Sequence, residues 1–156
     1  MSLDFVKVAA VALLLPAVAA ADHTQVASDP QGMKSFFTDQ GIVTQLETDD
    51  YGDPLLSIRY YDTSFSIYFY GCNNGTGCTS IQYFSGYRTE GSVSVSRLNE
   101  WNRDKRYARA YLSDSGAARI EYDVYLGADG MSQADFDQSF SLWTRSMGEF
   151  EEFIDW

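Results

Sequence analysis

The chain has 156 residues, of which 45% are hydrophobic and 15% aromatic, so it holds enough apolar side chains for one core of ordinary domain size. Its 22 acidic residues outnumber the 11 lysines and arginines, and the net charge of -11 would repel nucleic acids and anionic lipid headgroups. Eleven tyrosines and ten phenylalanines favour β-sheet over helix.

The first 21 residues have the features of an export signal. An apolar run from Val8 to Leu15 ends at Pro16, and small residues suited to cleavage follow from Ala17 to Ala21. The run is shorter than the roughly 20 residues that span a bilayer. We predict a signal peptide over 1–21, a short lead over 22–29 and one domain over 30–156. An uncleaved N-terminal helix is the alternative.

The mature chain begins with one helix and four strands. Ser28, Asp29 and Pro30 form a typical helix start, and Gly41 is the expected end. Apolar residues then alternate with polar ones, which indicates strands. The predicted strands are 43–48, 55–61, 65–71 and 79–87. Their short connections predict an antiparallel meander.

Two cysteines flank the turn before the fourth strand. Cys72 and Cys78 are separated by Asn-Asn-Gly-Thr-Gly, a composition typical of tight turns. In an exported chain an even number of cysteines is normally paired, so we predict a disulfide at the end of a hairpin. A redox-active pair is less favoured, because five residues intervene and neither cysteine begins a helix.

The segment 95–112 changes period partway along. Val95, Leu98 and Trp101 recur every three residues, as on one side of a helix. From Tyr107 onward large and small residues alternate, and Ala108 and Ala110 form a small-residue face that we expect to lie under a bulky group. The pattern predicts a helix that passes into a strand with almost no loop.

A hairpin and a long helix complete the chain. Asp114, Ser115 and Gly116 form a turn before a strand over 119–126, and Ser132 with Asp135 forms a variant of the capping box. Apolar residues then recur at steps of four and three: Phe136, Phe140, Trp143, Met147, Phe150 and Ile154. The predicted order is α-β-β-β-β-α-β-β-α, an α+β fold with helices on one face of an antiparallel sheet.

Trp-Asn followed by Arg-Tyr-Ala-Arg-Ala-Tyr resembles the signature of the YbjN family, bacterial domains regarded as sensory-transduction regulators. The resemblance covers about residues 30–156 and implies a fold similar to that of type III secretion chaperones. The family has no established reaction, so no catalytic residue is carried over. We expect structural roles for the motif residues, with ligand contact by Asn102 and Arg106 as the alternative. These residues are Leu98, Trp101, Asn102, Arg106, Ala108 and Ala110.

Reactive groups are scarce. His23 is the only histidine and lies near the expected mature terminus, which argues against Ser-His-Asp and Cys-His catalysis. Spacings typical of metal ligands and Gly-rich phosphate loops are also missing. We therefore predict no catalytic residue, no metal and no cofactor. A pair of carboxylates that meets only in space is the open alternative.

Two clusters of charge stand out in this acidic chain. The basic cluster comprises Arg97, Arg103, Lys105, Arg106 and Arg109. The acidic cluster at the end of the last helix comprises Glu149, Glu151, Glu152 and Asp155, where the helix macrodipole disfavours acids. They are either two solvated faces or complementary surfaces that meet within the chain or across a homodimer.

These observations predict a binding module rather than an enzyme, located in the periplasm or secreted through a Sec-type signal. The expected partner is another polypeptide, preferably a basic segment, and neither nucleic acid nor stable membrane insertion is expected. The candidate surface consists of five tyrosines: Tyr60, Tyr68, Tyr70, Tyr83 and Tyr87. A periplasmic carrier of a small apolar ligand or lipid is the alternative, with an enzyme third.

Overall fold

The computed structural model describes residues 25–26, 29–127 and 129–156. The predicted signal peptide over 1–21 and His23 lie outside these residues. The first helix, α1, runs from Pro30 to Asp39, and the Asp29 carboxylate caps it by accepting the backbone N–H groups of Gln31 and Gly32. Gly41, with φ +76°, follows the helix end, where a left-handed residue suits glycine.

Six antiparallel strands form the main sheet. Their bounds are β2 Val43–Thr48, β3 Pro54–Tyr60, β4 Thr63–Tyr70, β5 Ser80–Tyr87, β6 Arg109–Leu112 and β7 Ala118–Tyr125. Their spatial order is β2-β3-β4-β5-β7-β6, so β2 and β6 are the edges. The four-strand meander and the final hairpin predicted from alternation are both confirmed.

A second, two-stranded sheet was not predicted. β1, Gln25–Val26, pairs with β8, Met131–Ser132, just before the last helix. Two-residue strands have no alternation to detect, so no sequence pattern indicates them.

Two more helices lie along the sheet. α2 runs from Val95 to Asp104 after the cap Ser94, and α3 runs from Gln133 to Phe153 after the cap Ser132. The Ser132 hydroxyl accepts the backbone N–H of Asp135, as in a capping box, but the Asp135 carboxylate accepts the Ser132 hydroxyl at 2.7 Å rather than the Ser132 backbone N–H. Val95 is 61% exposed, so only Leu98 and Trp101 of the predicted helix face enter the core.

All three helices contribute to one core on one face of the sheet. The predicted stripe of α3 is buried along its whole length, and Trp143 stacks on Tyr83 of β5 with ring centroids 5.5 Å apart. Phe37 of α1 packs edge-on against Phe140 of α3, and Trp101 of α2 packs against Phe150 of α3. The fold is therefore α+β in the predicted element order, with helices on one face.

Candidate binding surface on the open face of the sheet

The sheet has a second face that no helix covers among the described residues. Strand register places on it the side chains that alternate with the core positions. We call this the open face. Its central members, taken from β3 to β6, are Ser57, Arg59, Ser64, Ser66, Tyr68, Tyr70, Gln82, Phe84, Gly86, Arg109, Tyr111, Arg119, Glu121 and Asp123.

A charged network occupies the end of the open face formed by β6 and β7. Arg109 donates to the Glu121 carboxylate at 2.7 Å and also to Asp123, and these contacts raise the pKa of its guanidinium, the hydrogen bond to Asp123 most strongly. Tyr111 donates to the other oxygen of Glu121, whose side chain is only 8% exposed. Asp123 also accepts a hydrogen bond from Gln82 at 2.8 Å. Glu121 is thus a buried carboxylate that is fully partnered, as stability requires.

Aromatic rings and one arginine occupy the middle of the open face. Tyr68 packs edge-on against Phe84 with centroids 5.7 Å apart. The Arg119 guanidinium lies 5.6 Å from the Phe84 ring and 5.9 Å from the Tyr111 ring, within cation–π range. Burial raises the pKa of Tyr68 and also that of Tyr70 above the ordinary value of 10.0, so both phenols stay protonated into the alkaline range. They can donate hydrogen bonds to a partner.

Small residues form a trough beside these rings. Its floor consists of Ser57, Ser64, Ser66 and Gly86, and Arg59 and Phe84 stand at its sides. The trough encloses about 540 Å³ and reaches the edge strand β2 at Val43, which is 62% exposed. A polar floor with an aromatic wall provides both hydrogen-bonding groups and apolar contact area.

Three of the five tyrosines predicted for the candidate surface lie on the other face of the sheet. Tyr83 is fully buried under α3, and its hydroxyl lies 3.1 Å from the Ser139 hydroxyl. Tyr87 is 2% exposed and donates to Glu151 at 2.9 Å. Tyr60 packs edge-on against Phe140 of α3. The predicted surface is corrected to Tyr68 and Tyr70, because α3 covers the face that the other three share.

The motif forms the corner between α2 and β6. The Trp101 indole N–H donates to the Ala108 carbonyl at 3.1 Å. The Asn102 amide donates to the Ala110 carbonyl and accepts the Ala110 N–H, both at 2.8 Å. Leu98, Ala108 and Ala110 are buried. These contacts give the motif a structural role in holding the strand against the helix.

The corner differs from the prediction in two respects. Four residues rather than almost none separate the elements, because Lys105 is already extended and Tyr107 takes a left-handed conformation with φ +71°. The Arg106 side chain is exposed and makes no hydrogen bond within the described part of the chain, so Asn102 and Trp101 hold the corner without it.

The basic and acidic clusters meet in part within the chain. Lys105 forms an ion pair with Glu149 at 2.7 Å. Arg97 lies over the Phe153 ring and donates to the Phe153 carbonyl at 3.1 Å, which places a positive charge at the carboxyl end of α3. Arg109 instead faces the carboxylates of β7. Arg97 and Lys105 thereby offset part of the unfavourable interaction between the acidic residues at the end of α3 and the helix macrodipole.

Cys72 and Cys78 form the disulfide at the end of the β4–β5 hairpin. Cys78 is fully buried, and Asn73 and Thr76 pair across the turn. The bond therefore joins two of the central strands and lies apart from the open face's charged network.

Sequence reasoning missed the arginines and the small residues of the open face. Alternation marks Arg59 and Arg119 only as polar strand positions, and it does not distinguish Ser57, Ser64 and Ser66 from other polar residues. A signal was present, since these residues all share the polar phase of their strands. Their proximity depends on the pairing of strands that are far apart in sequence.

Within residues 25–26, 29–127 and 129–156 no group of three or more His, Cys, Asp or Glu side chains could hold a metal ion. None of the helices in the same residues has the length and apolar composition needed to cross a membrane.

Comparison with known proteins identifies one family. No curated protein matches the chain. A family model described as "Putative bacterial sensory transduction regulator" matches residues 29–156, which include α1, the six-stranded sheet, the Trp101–Asn102 corner and α3. The match covers most of the chain, and the chain belongs to the YbjN family.

Proposed function

We propose that the protein is a non-catalytic module that binds another polypeptide on the open face of its sheet. The observation that carries this proposal is the contrast between the two faces. Helices cover one face, while the other presents aromatic, hydroxyl and charged groups that no helix of the described residues covers. Tyrosine suits such a surface, because it supplies large contact area at small entropic cost and its hydroxyl tolerates water. The family's description as a regulator is consistent with a binding role.

The close packing between the helices and the main sheet argues against the alternative that the protein carries a small apolar ligand or lipid. Phe65, Tyr83 and Trp143 meet there with ring centroids 5.5 to 6.1 Å apart, and each is at most 3% exposed. A lipid between helices and sheet would have to displace these side chains, at a cost of several kcal/mol for each lost core contact.

The proposal is tested by changing Tyr68 and Tyr70 together to Ser. The matched control changes Tyr61 and Tyr107 to Ser, because these tyrosines are 82% and 61% exposed and their rings pack against Tyr60 and Tyr122, on the face of the sheet that the helices cover. Tagged wild-type and variant proteins would be compared by affinity capture from the host's envelope extract, after thermal melts show that each is folded. We expect the open-face variant to lose partners that the control retains.

Identical sets of partners for both variants would contradict the proposal. Native mass spectrometry on protein purified from its host distinguishes a carrier from a polypeptide-binding module, since a carrier retains a small bound molecule and adds its mass to that of the protein. Activity that depends on a single carboxylate would favour an enzyme instead.

We also propose that the protein works after export, in the periplasm or outside the cell. The disulfide supports this, because such bonds persist in oxidising compartments. Alkylation of freshly isolated protein without reductant should label neither cysteine, and its intact mass should place the mature terminus between Ala20 and Asp22. Two labelled thiols or a full-length mass would contradict export.

A further inference from the structure

Two arginines at the trough carry charge that no carboxylate of the described residues neutralises: Arg59 lines the trough, and Arg119 lies beside its floor at Gly86. Among the arginines of the open face, Arg109 on β6 is paired with Glu121 and Asp123. Arg59 and Arg119 have no carboxylate within ion-pair distance among the described residues. This occurs in a chain with twice as many acids as bases. The trough is therefore locally basic on an acidic protein.

Strand register places these two arginines at opposite sides of the small-residue floor. Arg59 on β3 pairs with Ser64 on β4, and Arg119 on β7 pairs with Gly86 on β5. Three strand spacings of about 4.8 Å separate β3 from β7, so the Cα atoms of the arginines are roughly 14 Å apart. Both side chains are long enough to reach a group lying over the floor between them.

The floor allows a close approach. Gly86 lies inside the central strand β5, where glycine weakens the strand and often marks a site that another backbone approaches. Its φ is not positive, and an added Cβ would come no closer than 3.5 Å to Phe84 and 3.9 Å to Arg119. The fold itself therefore tolerates a side chain at this position. The missing side chain instead leaves room above the sheet.

The arginines are also oriented for recognition. Arg119 lies between the rings of Phe84 and Tyr111 in cation–π contact, which holds its guanidinium in place beside Gly86. A guanidinium matches a carboxylate with two parallel hydrogen bonds, and such charge-assisted bonds are stronger than neutral ones. The serine hydroxyls of the floor supply further donors and acceptors.

We infer that the trough binds an acidic segment of a partner polypeptide, whose carboxylates pair with Arg59 and Arg119 while its backbone lies over Ser64 and Gly86. This inference rests on the proposed function and names the chemistry of the partner. It reverses the expectation of a basic partner, which followed from the net charge of the whole chain. Long-range repulsion is screened within about 10 Å at 0.1 M salt, whereas contacts at the trough act at shorter range.

An acidic residue that forms no ion pair among the described residues lies beside the trough and offers a diagnostic. Glu47 on β2 accepts a hydrogen bond from Ser57 at 2.7 Å, at one side of the trough. Its charge would repel a bound carboxylate, so Glu47→Gln should tighten binding of an acidic peptide. A residue with only a structural role would not produce this gain.

The test uses three fluorescein-labelled peptides of eight residues that are identical except for four positions, which are all Glu, all Gln or all Lys. Fluorescence anisotropy on the whole protein measures their affinities. We expect the Glu peptide to bind at least tenfold more tightly than the Gln peptide and the Lys peptide to bind most weakly. Equal affinities, or a preference for Lys, would overturn the inference.

Variants then locate the site. Arg59→Gln and Arg119→Gln should each weaken the Glu peptide about fivefold or more without affecting the Gln peptide. Gly86→Leu, which fills the trough, should weaken both. Arg145→Gln is the matched control, because Arg145 is exposed on α3 and forms no ion pair among the described residues. Losses as large in the control as in the trough variants would overturn the assignment.

The two proposals can fail separately. If Tyr68 and Tyr70 are needed to capture a partner but the peptides show no preference for Glu, binding on the open face stands and the acidic partner is rejected. If the variant with Ser at positions 68 and 70 captures the same partners as the wild type, the proposed function is contradicted, whatever affinities the peptides show.

Discussion

The two faces of the main sheet come from the same strands but have opposite environments. On β4, Phe65, Ile67 and Phe69 face the helices and are at most 3% exposed, while Tyr70 on the opposite side is 43% exposed. Both sides are aromatic, so composition alone does not distinguish them. The difference is the helical layer, which buries one set of rings and leaves the other in contact with solvent. Stability is thus concentrated on one face, and the other is available for binding.

The largest test of this contrast removes part of the helical layer. Ending the chain at Ser146 removes Met147, Phe150 and Ile154, all at most 6% exposed. Each such loss costs about 2–5 kcal/mol, against a total stability of about 5–15 kcal/mol for a typical domain. We expect the truncated protein to show no cooperative thermal transition by circular dichroism. Deleting only Trp156, which is 63% exposed, is the control and should leave a cooperative transition.

The second prediction compares the stability lost when a single tyrosine is removed from each face of the sheet. Tyr83→Ala removes a buried ring and should cost about 3–5 kcal/mol in the free energy of unfolding. Tyr68→Ala removes mainly the edge-on contact with Phe84, worth about 0.5–1.5 kcal/mol. Urea denaturation measures both. Equal losses would show that Tyr68 is buried as completely as Tyr83 and would remove the distinction between the faces.

The corner that attaches β6 to the helical layer gives an intermediate effect. Asn102→Ala removes two hydrogen bonds and leaves the backbone groups of Ala110 without these partners, so we expect a loss of about 1–3 kcal/mol. Arg106→Ala, four residues along and exposed, should change stability by less than about 0.5 kcal/mol. Urea denaturation midpoints compare the stability of the two variants. A larger loss for Arg106→Ala than for Asn102→Ala would contradict the structural role assigned to Asn102.

The last effect grows gradually with pH and concerns the alkaline range. Burial raises the pKa of Tyr83 and of Tyr87 above the ordinary value of 10.0, so the folded state keeps protons that the unfolded state loses. Stability should therefore be constant with respect to these groups below about pH 10 and fall above it, by up to about 1.4 kcal/mol per pH unit for each group. Unfolding measured from pH 8 to 11 tests this.

Tyr83→Phe is the control for the alkaline prediction. It removes one of the two buried phenols and should reduce the dependence on pH above 10. Tyr68 and Tyr70 are less completely buried than Tyr83 and Tyr87. In a pH titration of the folded protein followed by absorbance near 295 nm, we therefore expect the phenols outside the core to ionise before those of Tyr83 and Tyr87. A dependence unchanged in Tyr83→Phe would contradict the assignment of Tyr83 to this effect.

Most of the fold could be predicted from local patterns. The six-residue β2 matches its prediction, and the stripe from Phe136 to Ile154 indicates the buried side of α3, since both depend on periods set by backbone geometry. The paired strands β1 and β8 could not be predicted, because two residues have no period. Tyr107 could not be placed either, since its left-handed conformation follows from the bonds that Trp101 and Asn102 make across the corner.

The sequence by itself determined the order of the three helices and of the six strands of the main sheet, the pairing of the two cysteines and the family. Alternation assigns Tyr68 and Tyr83 each to a side of its own strand, but it does not state which side the helices cover. Only the tertiary structure decided that α3 buries Tyr83 and leaves Tyr68 open. It also brought Arg59 and Arg119 to opposite sides of the small-residue floor, because pairing through β4 and β5 relates positions 60 residues apart that no local pattern relates.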